Sequence, residues 1–147
     1  MLQRPGGAPN KTGGLRQQWR RSDEKRKPSI LIVDDEAIVR RVLRQRLTGE
    51  GYECREAGNA DEALAAVAEH KPALIIMDLL MPVVDGYTAC YKIKADPETK
   101  DIPLVVLTAV GHDLNRKLAE KMGADGYMTK PFEKKELLKV ANKYIKK

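Results

Sequence analysis

Asp34 and Asp35 follow the apolar run SILIV, Asp78 follows LIIM, Thr108 closes LVVLT, and Lys130 stands just beyond DGYMT. Singly, each is an ordinary polar residue at the end of an apolar segment. Together, four separate stretches deliver carboxylates, a hydroxyl and an ammonium to the ends of strand-like segments. A carboxylate in such a place is penalised by desolvation. Three of them brought together would repel one another and raise their pKa values unless a cation sat among them. Oxygen ligands without His or Cys favour a hard ion, Mg²⁺ or Mn²⁺, which keeps some of its waters. One carboxylate on such an ion can attack phosphorus, and the ion neutralises the phosphoryl oxygens. A Lys ammonium and a Thr hydroxyl suit the remaining oxygens. Asp78, with a buried strand behind it, is the best placed nucleophile.

The elements that must hold these groups alternate along the chain. SILIV (29–33) is a β-branched apolar run, and EAIVRRVLRQRLTGEG (36–51) puts Val39, Val42, Leu43 and Leu47 on one helical stripe ended by Gly49 or Gly51. YECREA (52–57) alternates as a strand does. NADEALAAVAEH (59–70) opens with Asn59 as N-cap and Glu62 three residues on, a capping-box pattern. A strand at 73–77, a helix at about 85–95, a strand at 104–108, a polar helix at about 112–122, a strand at 125–129 and a helix at 133–146 complete five βα units. In the last helix Leu137, Leu138, Val140, Ala141 and Ile145 face inward. Strands that read as continuous apolar runs are buried on both faces, so the expected fold is α/β, a doubly wound five-stranded parallel sheet. In strand order 2-1-3-4-5 the first and third strands are neighbours, and ligands bind beyond their carboxyl ends. Asp34, Asp35 and Asp78 then converge, with Thr108 and Lys130 on the other side.

Charge is unevenly distributed. Residues 1–28 hold eight Lys/Arg against Asp23 and Glu24, which accounts for the whole net charge of +6; the 19 basic and 19 acidic groups beyond them balance. The globular part, 29–147, is therefore not expected to be a general polyanion binder. The 1–28 extension is basic and poor in aliphatic residues, and it is expected to be disordered. Within it Leu15 and Trp19 lie one helical turn apart among arginines, leaving a weak contact with nucleic acid or another partner open. Cys54 and Cys90 are too few for a disulfide framework or a zinc site. The sequence offers neither a membrane span nor a signal-peptide core, so a cytoplasmic protein is expected.

ILIVDDE, LIIMDLLMPVVDG, LVVLTA and GADGYMTKPF resemble the signatures of the receiver domain of bacterial two-component response regulators, the CheY-like family. The resemblance covers about 29–146 and implies the flavodoxin/CheY-like fold. It implies that Asp78 accepts a phosphoryl group from a sensor histidine kinase or phosphotransfer protein. Asp35, Asp78 and the backbone carbonyl of Leu80 would ligate Mg²⁺ directly, and Asp34 largely through water. Thr108 and Lys130 would bind the phosphoryl oxygens, Lys130–Pro131 would be a cis peptide, and Tyr127 would be the switch aromatic. The chain would then be a signalling switch rather than an enzyme, at most catalysing its own phosphorylation and dephosphorylation. Its output partner would dock on the fourth helix, fifth strand and fifth helix, around Lys117, Lys121, Tyr127 and Lys139.

Two departures carry an expectation. Leu80 and Val110 occupy positions that are often polar in the family, and apolar groups there predict poor orientation of attacking water and slow self-dephosphorylation. A phosphatase of the haloacid dehalogenase type would need a second Asp where Leu80 stands. A phosphorylation-independent adaptor, or a receiver piece of a longer DNA-binding regulator, stays open.

Overall fold

The computed structural model describes residues 27–78, 83–109, 117 and 120–145. Its strands are β1 (Ser29–Val33), β2 (Glu53–Ala57), β3 (Leu74–Asp78), β4 (Leu104–Ala109) and β5 (Gly126–Lys130). Its helices are α1 (Ala37–Thr48), α2 (Ala60–Glu69), α3 (Val83–Ala95) and α4 (Lys134–Tyr144). All strand pairings are parallel, as the apolar runs predict, and the order is β2-β1-β3-β4-β5, the order expected for the flavodoxin/CheY-like fold.

Every residue of β1 and of β3 is buried, and alternate side chains serve opposite layers. Leu31, Val33, Ile75, Met77, Leu104 and Val106 pack with Ala63 and Val67 of α2 and Cys90 and Ile93 of α3. Ile30, Ile32, Leu74, Ile76, Val105 and Leu107 pack with Leu43 and Leu47 of α1 and Leu137 and Ala141 of α4. Each fully buried Leu or Ile contributes roughly 1.5–3 kcal/mol relative to exposure, so both layers are needed to clamp the sheet. Both cysteines are free and buried, one in each layer.

Several boundaries differ from the sequence reading. Asp78 and Lys130 are the last residues of β3 and β5 rather than residues beyond them. Helix α3 starts at Val83, earlier than Asp85, and α4 ends at Tyr144 with Ile145 as its C-cap. On α1 the buried stripe is Leu43 and Leu47 with Val39 partly buried, while Val42 turns outward beside Ile38, which is 73% exposed. The reason is geometric: Val42 is one position from Leu43, about 100° around the helix, so one of the two must leave the sheet. Gly49 caps α1 in right-handed backbone, and Gly51 (φ +97°) makes the left-handed turn into β2 that glycine adopts without steric cost. Asn59 caps α2 by accepting from the Glu62 N–H at 2.9 Å, but the Glu62 carboxylate reaches back past Asn59 to the Gly58 N–H. Of the helix predicted at about 112–122, Lys117, Glu120 and Lys121 are helical, Met122 is in a turn, and the rest lies outside the described residues.

Candidate functional site

Register alone brings the polar residues to one edge. Val33 pairs with Met77, so Asp34 and Asp78 follow side by side on adjacent strands. Asp78 pairs with Leu107, placing Thr108 one residue further along β4, and Ala109 pairs with Lys130. Asp34 and Asp78 also continue the alternation of Ile30–Ile32 and Leu74–Ile76, which points to the layer of α1 and α4.

Asp34 is 0% and Asp78 2% exposed, while Asp35 is exposed. Carboxylate oxygens of the three lie within 4.8 Å of one another. The Lys130 ammonium donates to Asp78 Oδ2 at 3.0 Å and stands 3.7 Å from Asp34 Oδ2. Asp34 Oδ1 accepts the Glu36 N–H at 2.8 Å, but Asp34 Oδ2 is buried without a hydrogen-bond partner. Burial pushes the Asp34 carboxyl up to about 7; the Glu36 N–H opposes this, and the neighbouring Asp78 adds to it. Burial pulls the Lys130 ammonium down, but its hydrogen bond to Asp78 and the charges of Asp78 and Asp34 outweigh that, and its pKa is raised.

These features fit a hard divalent cation. Three convergent carboxylates face one ammonium, and a buried acceptor is left over. Oxygen-only donors suit Mg²⁺ or Mn²⁺, and a cation would offset the burial and the Asp78 repulsion that raise Asp34.

The description of a response regulator receiver domain matches residues 30–142. The chain belongs to that family. It is 43% identical over 110 residues to the phosphate regulon transcriptional regulatory protein PhoB of Pseudomonas aeruginosa, covering 75% of this chain and 48% of PhoB. The chain spans about half the length of the curated relatives it matches. Among solved structures, the receiver domain of NtrX from Brucella abortus superposes with a TM-score of 0.73 at 32% identity, covering 79% of this chain and 97% of that one. The chemotaxis response regulator CheY4 of Vibrio cholerae gives 0.75 at 28%, covering 81% and 99%.

In this receiver domain the structure brings Asp34, Asp35, Asp78 and Lys130 together. Lys130–Pro131 is a cis peptide bond. The backbone of Thr108 lies at the same edge of the sheet, while its side chain, all of Leu80 and Val110, and Leu15 with Trp19 lie outside the described residues. Tyr127 is on β5 and 38% exposed; Lys117, Lys121 and Lys139 are exposed. Sequence reasoning missed Arg40 and Glu56. The Arg40 guanidinium donates to the Asp34 backbone carbonyl at 2.5 Å and to Glu56 Oε1 at 2.9 Å, and Arg44 donates to Glu56 Oε2 at 2.8 Å. Two arginines one helical turn apart facing an acidic residue of the adjacent strand were the signal for it.

Proposed function

We propose that this receiver domain is a phosphorylation switch in which Asp78 takes a phosphoryl group from the phosphohistidine of a sensor histidine kinase or phosphotransfer protein. The observation that carries the reading is Asp78 itself. It is a buried carboxylate at the end of β3, within reach of two more carboxylates, with an ammonium 3.0 Å away. A carboxylate oxygen of Asp78 attacks phosphorus; the O–P bond forms as the P–N bond breaks, and the imidazole nitrogen leaves with the electron pair and takes up a proton. Lys130 keeps its proton and follows the transferred oxygens, and the Thr108 hydroxyl binds another. Asp34, Asp35, Asp78 and the Leu80 carbonyl would hold Mg²⁺ or Mn²⁺. When bound, the ion neutralises the carboxylates and the incoming phosphoryl oxygens.

The protein is then a signalling component in the cytoplasm whose catalysis is limited to its own phosphorylation and dephosphorylation. Its output face is the one carrying Lys117, Lys121, Tyr127 and Lys139, with Tyr127 as the switch residue. Among the described residues no helix is long and apolar enough to cross a membrane. To move the active state from about 1% to about 99%, the phosphoryl group must favour it by roughly 5.5 kcal/mol.

Intact mass after incubation with Mg²⁺ and acetyl phosphate tests the reading. One phosphoryl adduct is expected in the wild type, and none without Mg²⁺ or in Asp78→Asn. No adduct from acetyl phosphate or from a panel of histidine kinases would replace this reading with a phosphorylation-independent adaptor. Because Leu80 and Val110 are apolar at positions that are often polar in the family, the adduct is expected to be long-lived, and decay within seconds would refute that point. A second reading, a receiver that works within a longer DNA-binding regulator, is favoured by the match to PhoB, a transcriptional regulatory protein, over 48% of its length. A native protein no longer than this chain would exclude it.

A further inference from the structure

We infer that Arg40 is a positioning residue for the metal-binding carboxylates, acting through the backbone carbonyl of Asp34. The inference rests on the receiver reading above. The carbonyl belongs to the peptide that joins Asp34 to Asp35, so rotation of that one peptide swings both carboxylates. Three contacts hold the turn. The Asp34 N–H donates to the Ala57 carbonyl at 3.1 Å, the Asp34 carboxylate accepts the Glu36 N–H at 2.8 Å, and the Asp34 carbonyl accepts from Arg40 at 2.5 Å. The first two come from the strand and the turn themselves. The third is a side chain reaching in from α1.

Glu56 aims that side chain. Glu56 pairs with Ile32 across β2 and β1, which places its carboxylate near the acidic turn. Arg40 Nε takes one of its oxygens and Arg44 takes the other. A guanidinium is planar with its donors in a rigid fork, so fixing Nε on Glu56 directs Nη1 at the carbonyl. Arg40 is the more buried of the two arginines, its side chain 19% exposed against 51% for Arg44. Arg44 grips the same carboxylate and makes no hydrogen bond to the Asp34–Asp35 turn among the described residues. Nature has thus supplied the control: two arginines on one acceptor, only one of which touches the turn.

The test compares Arg40→Met with Arg44→Met in the full chain. Mg²⁺ binding is measured by calorimetry, and exchange of the Glu36 amide is measured in metal-free protein. Arg40→Met is expected to weaken Mg²⁺ affinity roughly tenfold, as loss of an outer-shell partner does, and to speed Glu36 exchange by about tenfold. Arg44→Met should leave both within about twofold, because it loses only a partly exposed ion pair. Arg40→Lys keeps the charge but cannot span both acceptors, so it should fall between Arg40→Met and wild type in both measurements; it also serves if Arg40→Met does not fold. Equal effects of the Arg40 and Arg44 variants, or no effect of either, would overturn the inference. A wild type that binds no Mg²⁺ would instead bring down the receiver reading, and the exchange comparison would still decide whether Arg40 holds the turn.

Discussion

The sheet carries a lysine–aspartate pair at each of its ends, and the two are built differently. At the amino end of β4 and β5, the Lys94 ammonium donates to Asp125 Oδ2 at 2.7 Å and to the carbonyls of Lys100 and Ile102, each at 2.8 Å. All three of its donors are used. Asp125 Oδ2 accepts the Leu104 N–H as well, and the Tyr144 hydroxyl donates to the Asp125 carbonyl. At the carboxyl end, Lys130 meets Asp78 and Asp34 with Asp35 close by, and Asp34 Oδ2 has no hydrogen-bond partner. The first pair is balanced in charge and closed, in that its ammonium has no donor left over. The second has excess negative charge and an acceptor left over. The same two residue types therefore make a structural tie at one end and, on the proposed function, a binding site at the other, and the difference lies in what remains unsatisfied.

The largest expected effect is at the open end. Lys130→Met should slow formation of the Asp78 adduct with acetyl phosphate at saturating Mg²⁺ by about 10²–10³-fold, the usual consequence of losing one donor to developing charge. A loss under about threefold would mean that Lys130 is only another tie. At the closed end, Lys94→Met should cost about 2–3 kcal/mol of stability in urea unfolding, since it leaves two carbonyls and a carboxylate without their cation. Its Mg²⁺ affinity should match wild type. A weakened affinity would show that the two ends are not independent.

The two ends were not equally legible from the sequence. Parallel strands written as uninterrupted aliphatic runs identify themselves, and the doubly wound class follows from the βα alternation, while the strand order follows from the flavodoxin/CheY-like fold. Asp34 and Asp78 could be found because each terminates such a run, where a charge is conspicuous, and Lys130 because it stands at the end of the fifth strand-like segment, DGYMT. Lys94 and Asp125 sit in a helix end and a turn, where charged residues are ordinary, and only tertiary packing shows that they meet. Arg40 was hidden for the same reason, among several arginines on a helix that looks solvated. Val42 was misplaced because apolar residues at 38, 39, 42, 43 and 47 fit two overlapping stripes, and only contact with the sheet selects between them.

A pH series sharpens the comparison at smaller amplitude. The Asp34 carboxyl ordinarily titrates at 3.8 and is raised to about 7 in the folded, metal-free protein, mainly by burial. Between those values the folded state binds more protons than the unfolded one, so stability falls as pH rises through this window. Asp34→Asn should remove that slope. It should be about 1–2 kcal/mol more stable than metal-free wild type near pH 8, with the gain vanishing near pH 4. Added Mg²⁺ should close the gap by stabilising the wild type alone. A gain independent of pH and metal would point to packing rather than to a buried surplus charge.

The smallest effect belongs to Glu56, which lies between the two extremes: its side chain is 26% exposed, it is gripped by two arginines, and it is on the border of the site. Its pKa is lowered from 4.5, first by the Arg44 hydrogen bond, against a burial effect, and with help from Arg40. A depressed carboxylate contributes stability above its unfolded pKa and loses it as pH falls through the folded value. Glu56→Gln should therefore cost about 0.5–1 kcal/mol at neutral pH, because solvent screens a pair this exposed, and almost nothing in acid. The amide can still accept one guanidinium bond, so Arg40 keeps part of its aim and Mg²⁺ affinity should fall less than in Arg40→Met. A stability loss as large as that of Lys94→Met would mean that burial does not rank these pairs, and that the closed end of the sheet owes its strength to something other than its saturated hydrogen bonds.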